Sequence, residues 1–189
     1  MSENKPVRRR RADADRSRTA ILAAAVTVLD ERIDAGLERV AEAAGVTRQT
    51  VYAHFPSRDV LLSAVVDELT REMLTAIDAL DLDQGPALDK LLQLIDLSWQ
   101  GFEQHPLLLH LPQTPGPDDR HDPVIERLGR LIRRGQRAGE ITREFSADWL
   151  VMALIALGHT AGESVSTGRL PAKKATTALH ASISRLLQP

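Results

Sequence analysis

The sequence predicts an all-α protein of about nine helices, and three observations carry that prediction. Apolar residues recur at i, i+3, i+4 and i+7 along almost the whole of the 189-residue chain, the period of helices with one buried face. The alternating β-branched and aromatic runs that mark strands are missing. Helix-starting Asp, Ser, Thr and Pro and helix-ending Gly punctuate the pattern at intervals that suit ordinary helices.

The first helix is expected to start near Asp13 or Asp15, both good N-caps. Its inward stripe runs Ile21, Leu22, Ala25, Val26 and Leu29, and it ends around Arg32. Residues 37–44 and 47–55 read as two short helices with Gly45-Val46 in the corner between them. Ser57 caps a long fourth helix, with Leu61, Leu62, Val65, Val66, Leu69, Met73, Leu74 and Ile77 inward, which fades at Asp81-Leu82-Asp83-Gln84-Gly85-Pro86. Pro86 stands near the first position of the fifth, whose apolar side carries Leu88, Leu91, Leu92, Ile95, Trp99 and Phe102. Residues 105–123 hold five of the ten prolines and read as a short helical turn followed by an irregular loop. Residues 123–138 form the next helix, with Val124, Ile125, Leu128, Leu131 and Ile132 inward, Arg127, Arg130, Arg133, Arg134 and Arg137 outward, and Gly139 closing it. Ser146 caps a strongly apolar helix to about Thr167, and after Pro171 a last helix places Ala175, Leu179, Ile183, Leu186 and Leu187 on one side.

Composition narrows the classes of function. With 43% hydrophobic and 26% charged residues the chain is an ordinary globular one, and the absence of cysteine excludes a disulfide framework, a thiolate zinc site and a cysteine nucleophile. The longest apolar stretch, residues 149–158, is half of the ~20 residues a membrane span needs, and the N-terminus opens on charges with no apolar segment behind them. A cytoplasmic protein with no membrane partner is the expectation. Residues 1–58 carry 11 Lys/Arg against 8 Asp/Glu, a balance of +3, and residues 59–189 carry 13 against 18, a balance of −5. The run Arg8, Arg9, Arg10 and Arg11 makes the front end a basic arm on a mildly acidic body, which suits either a polyanion contact or a solvated tail.

The corner around Gly45 is the most informative stretch. Leu37, Val40, Ala41 and Ala44 form an inward stripe of small residues that lets a partner helix approach closely. Gly45 suits the left-handed turn after a helix end, and Thr47 suits the cap of the next helix. In that next helix Val51 and Phe55 face inward while Arg48, Gln49 and Tyr52 share the opposite face. This is the pattern of a helix-turn-helix, whose second helix lies in the DNA major groove. An arginine can fork onto guanine, a glutamine can pair with adenine, and a tyrosine can donate to a phosphate oxygen. A solvated corner of a helical bundle would show many of the same residues.

The segment from Ile21 to Leu62 resembles the DNA-binding domain of the TetR family of transcriptional regulators. The matching residues are Val40-Ala41, Ala44-Gly45-Val46-Thr47, Thr50-Val51-Tyr52, His54-Phe55, Ser57-Arg58-Asp59 and Leu61. The resemblance implies that Thr47, Thr50 and Tyr52 touch phosphates or groove edges and that Arg48 and Gln49 read bases. It places Arg58 where the family usually has a lysine that helps hold the DNA backbone, and His54 beside the phosphate-contacting tyrosine. The arginine arm then reads as a minor-groove or phosphate contact ahead of the first helix. Two departures stand out: Gln49 occupies a position often small in the family, and Ala35-Gly36 replace the threonines that commonly cap the second helix, leaving Asp34 or Gly36 to start it.

The expected organisation is thus a basic flexible arm (1–12), a helix-turn-helix DNA-binding domain (13–56) and a ligand-binding and dimerisation domain (57–189). One helix-turn-helix covers too few base pairs to choose a genomic site, so a homodimer on a palindromic double-stranded DNA operator is expected. Its seam is expected on the last two helices at Ala153, Ala156, Leu157, Ala161, Leu179, Ile183 and Leu186, although all of these also suit an intramolecular core. The resemblance further implies a cavity for a small-molecule effector. Trp99, Phe102, Trp149 and Met152, with Phe145 nearby, supply aromatic or flexible surface, and His105, His159, Gln104 and His110 supply polar handles. A hydrophobic or aromatic effector follows, and its arrival is expected to shift the long fourth helix and change the spacing of the two recognition helices.

No cofactor and no metal is expected. His105, His110 and His121 flank prolines in a loop without the i, i+4 spacing of a helical metal site. An enzyme would need a nucleophile, paired carboxylates or a phosphate-cradling glycine loop, and none is found. A helical interaction module without operator specificity is the other class that the residues allow.

Overall fold

The structure, a computed structural model, describes the backbone of residues 5–109 and 122–189 and the side chains of residues 13–108 and 122–189. Among the described residues the chain forms eight α-helices and one 3-10 turn. They are α1 (Lys5–Glu31), α2 (Leu37–Ala43), α3 (Arg48–His54), α4 (Arg58–Asp78), α5 (Ala87–Gln104), the turn Pro106–Leu109, α6 (Asp122–Ala138), α7 (Ala147–Ser166) and α8 (Ala172–Leu187). The all-α prediction holds, and the 3-10 turn accounts for the ninth element. None of the described helices is long and apolar enough to cross a membrane.

The chain divides into two compact units, residues 1–69 and 70–189, so the division falls inside α4, about three turns beyond residue 57. Leu61, Val65 and Leu69 are buried and belong to the first unit, whereas Ile77 belongs to the core of the second.

α1 begins at Lys5, about two turns ahead of the expected start at Asp13 or Asp15. Residues 5–31 contain no glycine, and their one proline, Pro6, sits in the first turn where its missing N–H costs nothing, so no residue stops the helix earlier. Asp13 is therefore interior. Its carbonyl accepts the Ser17 hydroxyl at 3.0 Å and its carboxylate pairs with Arg16. The side chains of Arg8, Arg9, Arg10 and Arg11 lie outside the described residues, as do residues 1–4. The buried stripe of α1 is Ile21, Leu22, Ala25, Val28 and Leu29; Val26 is only half-buried.

In the second unit Leu91, Leu94 and Trp99 of α5, Leu128, Leu131 and Ile132 of α6, Leu150, Val151 and Leu154 of α7 and Leu179, Ile183 and Leu187 of α8 close one core around Ile77 and Ile141. Gly135 allows the tightest approach in it: an added Cβ would lie 2.6 Å from Ile141 and 3.1 Å from Ala87. Arg127, expected outward, is turned inward. It donates Nε and Nη2 to the Asp78 carboxylate at 2.9 and 2.6 Å and Nη1 to the Pro123 carbonyl at 2.9 Å, so its charge stays paired although the side chain is largely buried. Ile125, expected inward, is exposed.

The connection between α4 and α5 is fastened from three sides. Arg134 donates to the carbonyls of Asp83 and Gly85, Lys90 donates to that of Leu80 at 2.7 Å, and Glu140 accepts the N–H of Ala87. Asp81 takes a left-handed conformation there, with φ 46°.

Candidate nucleic-acid interface

The corner between α2 and α3 is built as its residues dictate. Gly45 has φ 66°, the Gly45 N–H bonds the Glu42 carbonyl at 3.2 Å and the Val46 N–H bonds the Ala41 carbonyl at 3.0 Å. Those two bonds form a complete Schellman motif, which satisfies the last carbonyls of α2 while reversing the chain. Thr47 then starts α3 from an extended conformation. Its hydroxyl accepts the Thr50 N–H at 3.1 Å and lies 2.9 Å from the Thr50 hydroxyl. Val51 and Phe55 are buried, as are Leu37, Val40 and Ala41. The Arg18 guanidinium of α1 lies over the Phe55 ring, 5.3 Å from its centre.

With one side of α3 committed to the core, Thr47, Arg48, Gln49 and Tyr52 are exposed and Thr50 and His54 are half-buried. Tyr52 is 47% exposed although it is a large aromatic residue. The predicted contact residues are thus accessible and offer a guanidinium, an amide and a phenol, groups able to hydrogen-bond base edges and phosphates. His54 packs its ring 6.3 Å from that of Phe55. Arg58 is used differently: Nε donates to the Ala35 carbonyl at 3.2 Å and Nη2 to the Ile33 carbonyl, both in the connection between α1 and α2. α2 starts at Gly36 with no side-chain cap.

Sequence reasoning missed Glu38, which stands 3.6 Å from Arg48. Its signal was its place in the first turn of a helix facing the next one.

The residues predicted for the effector are not brought together. Trp99 is buried core, its Nε1 donating to Glu103 at 3.0 Å, and Phe102 meets it edge-on with ring centres 6.3 Å apart. Trp149 and Met152 are instead 51% and 71% exposed, because the buried side of α7 is taken by Leu150, Val151 and Leu154. Phe145 stacks on Trp149 at 4.7 Å, also outside. His159 is exposed and His105 half-buried, while His110 and His121 lie outside the described residues.

The predicted seam is also divided. Ala161, Leu179 and Ile183 are buried in the chain's own core. Ala153, Leu157 and Leu186 are half-buried and Ala156 is exposed. Exposed apolar surface on α7 therefore runs along Trp149, Met152 and Ala156, at i, i+3 and i+7.

Comparison with known proteins agrees with this geometry. Residues 21–65 match the model of bacterial regulatory proteins, tetR family. Over 72 residues the chain is 40% identical to the HTH-type transcriptional repressor LfrR of Mycolicibacterium smegmatis; the match spans 38% of this chain and only 38% of that relative's length. The solved structure of the TetR-like regulator LfrR from Mycobacterium smegmatis in complex with proflavine superposes with a TM-score of 0.65 at 25% identity, covering 93% of this chain and 98% of that one. A TetR transcription regulator from Haloarcula marismortui shares the fold with a TM-score of 0.76 at 18% identity, covering 92% and 97%. Residues 21–65 thus carry the DNA-binding domain described for the tetR family of bacterial regulatory proteins, with a Schellman corner, a capped α3 and an exposed polar face, and the chain as a whole shares the fold of solved regulators of that family.

Proposed function

We propose that the protein is a DNA-binding transcriptional repressor that grips a palindromic operator as a homodimer and is released by a small, largely hydrophobic effector. The observation that carries this reading is the exposed set Arg48, Gln49 and Tyr52 on a helix whose opposite side is pinned by buried Val51 and Phe55. Arg48 and Gln49 read bases; Thr47, Thr50 and Tyr52 meet the backbone, and Arg8 to Arg11 extend the footprint.

The dimer seam lies on the outer side of α7, where Trp149 and Met152 leave apolar surface that a monomer gains nothing by exposing. A second copy is its occupant, since a palindrome requires two-fold symmetry and an isologous contact. The effector is a planar aromatic compound that enters the second unit beside Phe102, the half-buried member of the edge-on pair. Support for that class comes from the LfrR structure, which holds proflavine. Its arrival acts on α4, whose first turns belong to the first unit and whose last turns belong to the second.

Selection of random duplex DNA by the purified protein at near-physiological salt tests the reading, because non-specific arginine contacts fade there while base readout remains. A recovered palindrome, lost in the Arg48→Ala/Tyr52→Ala variant and released by proflavine, is expected. No enrichment from folded, dimeric protein would overturn the regulator reading in favour of an interaction module.

A further inference from the structure

Glu38 stands in the first turn of α2, its Oε1 3.6 Å from Nη1 of Arg48. The distance exceeds that of a hydrogen bond, and with side chains 48% and 69% exposed the pair adds little to stability. The carboxylate lies on the α2 side of the only guanidinium in α3, and both residues line a groove of about 510 Å³ with Ala41, Val46 and the Arg39–Glu42 pair.

A Cβ added to Gly36 would lie 2.9 Å from Glu38 Oε2, so a side chain there would make this carboxylate shift. The same glycine leaves α2 without a side-chain cap. The carboxylate lies instead at the positive end of the helix, where its charge is favoured. On a surface proposed to meet phosphates, a negative charge weakens binding, so affinity does not explain its presence.

We infer that Glu38 is a positioning residue: it holds the Arg48 guanidinium for guanine and keeps it from the phosphates, lowering affinity and raising discrimination. This rests on the DNA-binding reading above. An arginine on a flexible stem takes whichever anion is nearest, and phosphates line the whole duplex without carrying sequence information. Guanine offers O6 and N7 at one place only, and a fork already oriented loses less freedom on reaching it.

The test compares wild type, Glu38→Gln, Gly36→Ala, Arg48→Ala and Glu38→Gln/Arg48→Ala, first by selection and then by binding to two duplexes. One duplex is the wild-type consensus; the other is changed at the base pair that Arg48→Ala no longer selects. Glu38→Gln is expected to bind random duplex more tightly, with a salt slope steeper by about one phosphate contact. Its preference for the consensus over the changed duplex falls about fivefold or more, the scale of a lost bidentate contact. Gly36→Ala moves the same way in discrimination, with a small loss of thermal stability from its poorer N-cap; thermal unfolding of Glu38→Gln stays unchanged, and the double variant discriminates no differently from Arg48→Ala. Undiminished discrimination in Glu38→Gln, beside a palindrome from the wild type, overturns the inference and leaves the DNA-binding reading standing. So does a loss of discrimination that persists in the Arg48→Ala background. No palindrome from the wild type overturns both.

Discussion

Arg58, in the first turn of α4, gives its Nε–H to the carbonyl of Ala35, 23 residues earlier, at 3.2 Å. Nη2 reaches the Ile33 carbonyl from the same planar group. One guanidinium thereby satisfies two carbonyls of a connection that has no helical partners for them. Arg58→Ala is expected to lower stability by about 1–3 kcal/mol, the cost of stranding partly buried acceptors. Arg58→Lys recovers only part of it, since an ammonium lacks the fork. Urea unfolding followed by circular dichroism measures both.

Gly45 offers a separate test of the corner. Nothing lies within 4 Å of an added Cβ, so Gly45→Ala meets no clash and its cost is that of a left-handed alanine, about 1–2 kcal/mol. Thr47→Ala costs about 1 kcal/mol through the lost cap, and Thr47→Ser is close to neutral. Amide exchange is expected to quicken first in α3 for both damaging variants.

The two kinds of apolar residue on the last helices separate by exposure. Trp149→Glu/Met152→Glu is expected to keep the helical content and abolish the proposed dimer, because both side chains are exposed on the single chain. Ile183→Glu places a charge in the core and is expected to unfold the second unit. Sedimentation velocity beside circular dichroism distinguishes these outcomes; an intact dimer in the first variant would move the seam elsewhere.

Much of the N-terminal unit was legible because each residue there answers a local requirement. A positive φ needs Gly45, a helix start favours Thr47, and a seven-residue helix has one inward side, set by Val51. The C-terminal helices were legible as helices but not as faces. α7 is apolar nearly all round, so period alone assigns Trp149 and Met152 inward as readily as Leu150 and Val151, and tertiary packing makes the choice. Arg127 was misplaced for a related reason, since its partner Asp78 lies 49 residues away. The start of α1 escaped because Asp13 and Asp15 have the chemistry of caps at positions where nothing breaks the helix.

The fastening of residues 80–87 has a mechanical meaning. Two successive carbonyl anchors on one rigid guanidinium cannot slip independently, and Lys90 and Glu140 hold the same short connection at its two ends. Ordinary loops between helices act as springs that absorb small displacements. This one is tied more like a weld: Arg134 and the Arg127–Asp78 pair join α6 both to the connection and to the far end of α4, so a shift of α6 is expected to be felt there.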